Sequence, residues 1–235
     1  MSDLSTWVSY LAEIGVTDLH VAPPERAGLE AIRADIGECT RCKLCHARTH
    51  IVFGVGNPKA RLMFVGEGPG ADEDRLGEPF VGRSGKLLDQ LVWEEMGLTR
   101  DGFYIANVVK CRPPDNRDPR PDEIDACRPW LEQQLALIAP RVVVTVGNFA
   151  TRTLLQTKDG ITKVRGRSYP FGAAVLIPTF HPAAILRGGA QQMAQMRADL
   201  VRAKLALAVA PVDRSPEPVP SASPTPEAAD SRLFD

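Results

Sequence analysis

Short apolar runs rich in β-branched residues recur through the middle of the chain and predict strands. The four clearest runs are five to seven residues long and occupy positions 61–66, 103–108, 141–147 and 174–178. Continuous apolar runs of this length are typical of strands that are covered on both faces, because no face of the strand is left polar. Apolar residues at helical spacing lie between and after these runs, at positions 84–96, 121–138, 148–156 and 190–208.

This alternation of strands with helices predicts an α/β fold in three layers, with helices on both faces of a mainly parallel sheet. In open sheets of this kind, ligands bind at the carboxyl ends of the strands. Glu67, Asn107 and His181 lie at or just after the ends of three predicted strands. They are therefore the first candidates for functional side chains.

The two ends of the chain differ in composition from its middle. Residues 1–36 are mildly amphipathic around a Pro-Pro break, which predicts an N-terminal helical arm. Residues 211–235 hold six of the 20 prolines, and a segment of this composition buries too little apolar surface to offset the entropy lost on ordering. We therefore expect one domain over residues 37–208, followed by a disordered Pro/Ser/Ala-rich tail over residues 209–235.

Composition and charge narrow the class of protein. The chain has no run of about 18 apolar residues that could span a membrane. Its first residues lack the basic and apolar regions of a secretory signal, which favours a cytoplasmic location. Residues 39–210 carry 24 basic and 17 acidic side chains, although the net charge of the whole chain is −1. This positive middle is compatible with a nucleic-acid partner, but an ordinary solvated surface with uneven ends explains it equally well.

Five cysteines form a pattern that is typical of metal ligands. Cys39, Cys42 and Cys45 are three residues apart, and Cys111 and Cys127 follow much later. In a reducing cytoplasm they are poor disulfide partners, whereas four thiolates can hold zinc or an iron–sulfur cluster. The wide separation of the second pair suits a larger inorganic core at least as well as zinc. Spacing alone does not decide between Cys42 and Cys45, and five unrelated buried thiols are the remaining alternative.

Five features occur together in a fixed order: the cysteines at 39, 42, 111 and 127, and the segments 66–70 (GEGPG), 78–88 (EPFVGRSGKLL), 107–113 (NVVKCRP) and 181–187 (HPAAILR). In this combination, residues 36–207 resemble the family 4 uracil-DNA glycosylases, the iron–sulfur-containing branch of their superfamily. The resemblance implies a four-stranded parallel sheet between helices, and removal of uracil from DNA to begin base-excision repair. It also implies a 4Fe-4S cluster on Cys39, Cys42, Cys111 and Cys127, which leaves Cys45 as a free thiol.

Enzymes that excise a base flip it out of the duplex and read it in a pocket. Within this resemblance, Phe80 provides the stacking face, while the Asn107 amide donates to uracil O4 and accepts from N3–H. Cytosine presents the opposite pattern and would leave both groups of the amide unpaired. His181, helped by backbone N–H groups at Glu67 and Gly68, is expected to stabilise the negative charge that develops on uracil O2.

An acidic residue near the first predicted strand is expected to orient the attacking water. The best-known branch of the superfamily is acidic at the position that Gly68 occupies here. Glu67 is therefore the candidate, and Glu73, in the acidic loop that follows, is the reserve. Leu186 and Arg187, in a predicted loop, would supply an apolar wedge and a phosphate contact for the flipped state.

The sequence disfavours two alternative functions. A related group that becomes covalently trapped on uracil-DNA carries a Lys-Arg-Arg-Ile-His insertion, whereas residues 112–119 (RPPDNRDP) contain no His, so we expect turnover. The other alternative is a non-catalytic iron–sulfur or zinc DNA-binding module that retains the fold. A pure binding module does not need Glu67, Asn107 and His181 together.

The last six residues suggest a second partner besides uracil-containing DNA. Leu233 and Phe234 resemble the short apolar peptides by which bacterial repair proteins dock on the sliding clamp, although Asp230 stands where such peptides carry Gln. An ordinary terminus is the alternative. We expect a monomer with no membrane partner.

Overall fold

The computed structural model describes residues 28–209. Most of the predicted N-terminal arm, nearly all of the predicted tail, and the candidate clamp-binding residues Leu233 and Phe234 lie outside the described residues. Within residues 28–209, no helix is long and apolar enough to cross a membrane.

The described part of the chain alternates strands and helices as the apolar pattern predicts. Its strands are β1 (Val55–Gly56), β2 (Leu62–Gly66), β3 (Tyr104–Asn107), β4 (Val142–Val146), β5 (Tyr169–Phe171) and β6 (Ala174–Thr179). Its helices are α1 (Gly28–Ile36), α2 (Ala71–Leu76), α3 (Arg83–Met96), α4 (Pro121–Ile138), α5 (Asn148–Leu155), α6 (Ile161–Val164), α7 (Pro182–Gly188) and α8 (Ala190–Ala208), with 3₁₀ turns at Lys43–His46, Arg100–Gly102 and Pro114–Asn116.

The strands form one sheet in the order β1-β3-β2-β4-β6-β5. The four predicted strands are its parallel centre, so the predicted fold class is confirmed. The predicted strand number is wrong, because the short strands β1 and β5 add an antiparallel partner at each edge. Two or three residues cannot display an apolar period, and Pro170 in β5 disfavours a strand assignment, although proline is tolerated at a sheet edge.

Helices cover both faces of this sheet. Phe64 of β2 packs in one apolar cluster with residues of α3 and α8, such as Leu88 and Leu200. Its neighbours Met63 and Val65 point to the opposite face and join a second cluster, which includes Ile32, Trp130 and Leu131 from α1 and α4. Because successive side chains of a strand point to opposite faces, burial on both sides explains why the strands read as continuous apolar runs.

Two segments differ from what the sequence predicts. The predicted loop around Leu186 is part of α7, because Pro182 suits the first helical turn and the His181 ring accepts a hydrogen bond from the N–H of Ala183. Residues 28–36 of the predicted arm form α1, which buries Ile32 and Ile36 against the domain. This part of the arm therefore contributes to the core.

Candidate active site

The candidate catalytic residues converge because the central strands run parallel and end at one edge of the sheet. Asn107 is the last residue of β3 and pairs in register with Gly66, the last residue of β2, so Glu67 follows immediately beside it. On the other side of β4, Val146 pairs with Thr179 at the end of β6, two residues before His181.

A cavity of about 620 Å³ opens at this edge, a size that is typical of small-ligand pockets. The predicted site residues that line it are Glu67, Gly68, Glu73, Phe80, Asn107, His181 and Arg187. Leu186 does not line the cavity, and its side chain is 53% exposed on α7. The structure thus brings all but one of the residues predicted to act in catalysis, base binding or DNA contact into a single pocket.

Gly66 allows the two base-reading candidates to approach each other. A Cβ atom at Gly66 would lie 2.4 Å from Asn107 Oδ1 and 2.6 Å from Cζ of the Phe80 ring, which is closer than real side chains pack. The Phe80 ring also faces the His181 ring, with centroids 5.8 Å apart and planes inclined by 30°. The close packing of Asn107 and Phe80 in the pocket therefore requires glycine at position 66.

The turn that carries Phe80 is held in an unusual backbone conformation. Phe80 has a φ of 57°, which is costly for a residue with a bulky side chain. Arg100 donates to the carbonyls of Pro79 and Phe80, and its guanidinium also pairs with Asp89. Gly85 packs so closely that a Cβ there would lie 1.8 Å from the Phe80 carbonyl oxygen. These contacts fix the direction of the ring.

Asn107 presents an unsatisfied acceptor in this pocket. The residue is 1% exposed, and its Oδ1 has no hydrogen-bond partner among the described residues. A buried polar atom without a partner costs free energy, so such atoms are usually satisfied by a ligand or water. Asn107 is therefore suited to bind a donor group of a molecule that enters the cavity.

The His181 ring is held in one tautomer. Its Nδ1 accepts from the backbone N–H of Ala183 at 3.1 Å, and because that N–H can only donate, the ring proton lies on Nε2. Burial, and then the charge of Arg187, lower the pKa of His181 to about 4. At neutral pH the ring is thus an uncharged hydrogen-bond donor through Nε2.

The pKa of Glu67 is shifted in the opposite direction, and burial is again the main cause. Burial, and then the negative charge of Asp118, raise the pKa of Glu67 to about 7. Asp118 lies in the loop between β3 and α4 and lines the same cavity as Glu67. The sequence does not predict this approach, because it depends on the conformation of that loop.

Glu73, the reserve candidate for orienting water, already accepts hydrogen bonds from three backbone N–H groups. It lies in the first turn of α2, is buried, and its Oε2 accepts from the N–H of Gly70 at 3.1 Å. Its Oε1 accepts from the N–H groups of Val81 and Gly82 at 3.1 and 2.9 Å. The carboxylate therefore connects the glycine-rich turn to the turn that carries Phe80.

All five cysteines line a second cavity on the other side of the β3 end, together with Arg41, Arg48 and Trp130. The backbone N–H of Lys110 donates to Cys127 Sγ at 3.2 Å, and Arg48 Nη1 lies 3.5 Å from Cys111 Sγ. The buried Nε1–H of Trp130 has no acceptor among the described residues. Hydrogen bonds from N–H groups to sulfur are among the contacts by which proteins set the potential of an iron–sulfur cluster.

Within residues 28–209, no three Cys, His, Asp or Glu side chains converge closely enough to hold a single metal ion. Burial of the thiols nevertheless bears on how they would bind a metal centre. Burial raises the pKa of Cys111 to about 11 and also raises the pKa of Cys127, so binding of a metal centre would release protons.

A parallel α/β sheet with a polar cavity at the carboxyl ends of its strands defines the broad class of ligand-binding α/β folds. The sequence model of the uracil DNA glycosylase superfamily matches residues 53–203. The Type-4 uracil-DNA glycosylase of Sulfurisphaera tokodaii is 49% identical over 166 residues, which cover 67% of this chain and 76% of that protein. The chain belongs to the uracil-DNA glycosylase superfamily.

Further relatives agree with this assignment. The Type-4 uracil-DNA glycosylase of Thermotoga maritima is 45% identical over 167 residues, or 70% of this chain and 86% of that protein. The Type-5 uracil-DNA glycosylase of Thermus thermophilus is 35% identical over 151 residues, or 55% of this chain and 68% of that protein. The resemblance to family 4 inferred from the motifs is confirmed.

The engagement of Glu73 leads to a prediction about stability. In Glu73→Gln, the amide NH₂ would face backbone N–H groups that can only donate, so we expect unfolding in denaturant to require about 1.5–3 kcal/mol less. Glu78→Gln, at an exposed position of the same segment, is the control and should leave the unfolding free energy unchanged. Wild-type stability of Glu73→Gln would show that the carboxylate does not brace the two turns.

Proposed function

We propose that the protein is a monofunctional uracil-DNA glycosylase, which hydrolyses the N-glycosidic bond of uracil in DNA and so initiates base-excision repair. The observation that carries this proposal is the unpartnered Oδ1 of Asn107, buried in a cavity beside an aromatic ring and a neutral histidine. A flipped base needs these three contacts, to its edge, its face and its carbonyl oxygen.

Asn107 determines the specificity for uracil over cytosine in this proposal. Its Oδ1 accepts from uracil N3–H, and its NH₂ group donates to O4, while Phe80 stacks on the ring. Cytosine has an unprotonated N3 and an amino group at position 4, so its binding would leave Asn107 unpaired in a buried site. Sites built around such hydrogen bonds reject the mismatched ligand strongly.

The chemistry requires stabilisation of two opposite charges. As the bond between C1′ and N1 breaks, its electron pair moves onto uracil and the sugar becomes cationic. The Nε2–H of His181 donates to the developing oxyanion at O2, and a neutral donor suffices because the proton stays on the ring. The Glu67 carboxylate orients a water molecule toward C1′ and lies near the sugar cation that the water attacks.

Contacts with the rest of the DNA come from the rim of the cavity. Arg187 lines the pocket and suits a phosphate, and the exposed Leu186 suits insertion into the space that the flipped base vacates. We place the enzyme in the cytoplasm with the chromosomal DNA that it repairs, as a monomer. A contact of Leu233 and Phe234 with the sliding clamp stays a proposal from the sequence.

We also propose a 4Fe-4S cluster on Cys39, Cys42, Cys111 and Cys127, with Cys45 free. The shared cavity, the N–H donors to sulfur and the unpartnered Trp130 indole support it. When bound, the cluster would supply a four-point covalent cross-link between the segment before β1, the end of β3 and α4.

The proposed activity is tested with a uracil-containing oligonucleotide. We expect the wild-type protein to produce alkali-labile sites, and His181→Ala to lower the single-turnover rate on the order of 10²–10³ with nearly unchanged DNA affinity. His46→Ala, at an exposed position away from the cavity, is the control. A wild-type protein that leaves uracil in place would refute the function, and a near wild-type rate for His181→Ala would assign the chemistry to another group.

The raised pKa of Glu67 leads to a prediction about pH. Because the carboxylate must be charged, the excision rate should rise with pH through about 7, the pKa of Glu67. Asp118→Asn removes a like charge and lowers that pKa, so the rise should move to lower pH. His181 stays neutral over this range, because its pKa is about 4. Asp115→Asn, in the same loop, is the control; identical profiles for Asp118→Asn and the wild type would contradict the role of Glu67.

The proposed cluster is tested by metal analysis of anaerobically purified protein. We expect a brown protein with about four iron atoms per chain. Cys111→Ser should lose iron and solubility, since this buried residue joins the end of β3 to the cysteine cavity. Cys45→Ser should keep the full iron content. Zinc in place of iron, or loss of iron in Cys45→Ser, would contradict the proposed ligand set.

A further inference from the structure

Lys110 is a buried lysine to which the mechanism gives no role. It is 1% exposed, and its Nζ donates to the backbone carbonyl of Asn107 at 2.9 Å and to Oε1 of Gln134 at 2.6 Å. Lysine is almost never fully buried without partners, because the ammonium loses its hydration. Both of these acceptors are neutral, so the two hydrogen bonds have to offset the lost hydration without the help of a negative charge.

The peptide between Asn107 and Val108 is held at both of its polar groups. Its carbonyl accepts from Lys110 Nζ, and its N–H donates to the carbonyl of Gly66 at 2.9 Å. A peptide group is planar, so it cannot rotate without breaking at least one of these hydrogen bonds. Asn107 is the last residue of β3, and only one of these two hydrogen bonds comes from the neighbouring strand, so the Lys110 contact helps to set the direction of the Asn107 side chain.

Lys110 is itself anchored at several points. Its backbone N–H donates to Cys127 Sγ at 3.2 Å, and its carbonyl accepts from the N–H of Val52 at 2.8 Å. Gln134 cannot turn its amide over, because its Nε2 donates to the carbonyl of Phe53 and contacts the Tyr104 hydroxyl. The Oε1 atom therefore stays directed at Lys110, and Nζ stays directed at Asn107.

We propose that Lys110 is a positioning residue that orients Asn107 for reading the uracil edge, and that it connects this orientation to the cysteine site. The proposal rests on the proposed function, because it assumes that Asn107 contacts the base. Lys110 does not line the active-site cavity and acts only through the backbone of Asn107.

A double-mutant cycle tests this role in protein with its full metal content. Lys110→Met keeps the length of the side chain and removes its donors, so we expect kcat/KM for uracil excision to fall on the order of 10- to 100-fold through misplacement of Asn107. In an Asn107→Ala background, the same change should cost about twofold or less, because the residue it positions is gone. Equal losses in both backgrounds would overturn the proposal.

The control removes a different hydrogen bond of the same buried network. Tyr104→Phe deletes the hydroxyl that contacts Gln134 and leaves the contact between Lys110 and Asn107 intact. We expect its excision rate to stay within about twofold of the wild type. If Lys110→Met does not fold, Lys110→Gln leaves a polar group in the buried space but is one bond too short, and the same cycle applies to it.

A second measurement does not depend on activity. We expect amide hydrogen exchange at Val108, whose N–H donates to Gly66, to accelerate in Lys110→Met or Lys110→Gln and not in Tyr104→Phe. Unchanged exchange, with only the potential of the metal centre altered, would make Lys110 a counter-charge for the thiolates and overturn the proposal. A wild-type protein inactive on uracil would refute the proposed function, while the exchange result still decides the role of Lys110.

Discussion

Parallel pairing of β2 with its two neighbours is the constraint on which the site depends. Because these strands run in the same direction, the residues that follow them meet at one edge although they are far apart in the chain. The pairing of Gly66 with Asn107 then leaves no room for a side chain at position 66, and the Phe80 ring occupies that space. A substitution at this glycine would displace two candidate site side chains, Asn107 and Phe80, at once.

Burial shifts the pKa values of two titratable groups of the pocket in opposite directions. Burial penalises whichever form is charged, so it raises the pKa of the Glu67 carboxyl and lowers that of the His181 imidazole. Near pH 7 the histidine is neutral, and the carboxylate is close to its midpoint. The same desolvation strengthens a hydrogen bond from His181 to a developing oxyanion. Burial therefore affects both the departure of uracil, through His181, and the attack of water, through Glu67, in the proposed hydrolysis.

The central fold and most of the site could be predicted, because they rest on local signals. Apolar runs mark the parallel strands, and the rule that ligands bind at strand ends selects Glu67, Asn107 and His181 before any contact is known. What could not be predicted depends on distant contacts. The sequence alone leaves Glu73 available for catalysis, yet its carboxylate accepts hydrogen bonds from three backbone N–H groups of two turns. Lys110 stands out in the sequence as a lone charge between two valines and a cysteine, but no local signal shows that its ammonium reaches the backbone of Asn107.

The chain from Asn107 to Cys111 joins the two sites, which gives the proposed cluster a part in recognition that does not require it to touch the base. The segment before β1 contains one 3₁₀ turn, and Arg48 holds it by donating to the carbonyl of Cys39 and approaching Cys111 Sγ. A cross-link between Cys39 and Cys111 would close a long loop, and cross-links that close long loops remove the most conformational entropy from the unfolded chain. It would fix one end of a short segment whose other end is Asn107. Rigidity at the proposed cluster would thereby be passed on to the amide to which the proposed function assigns the choice between uracil and cytosine.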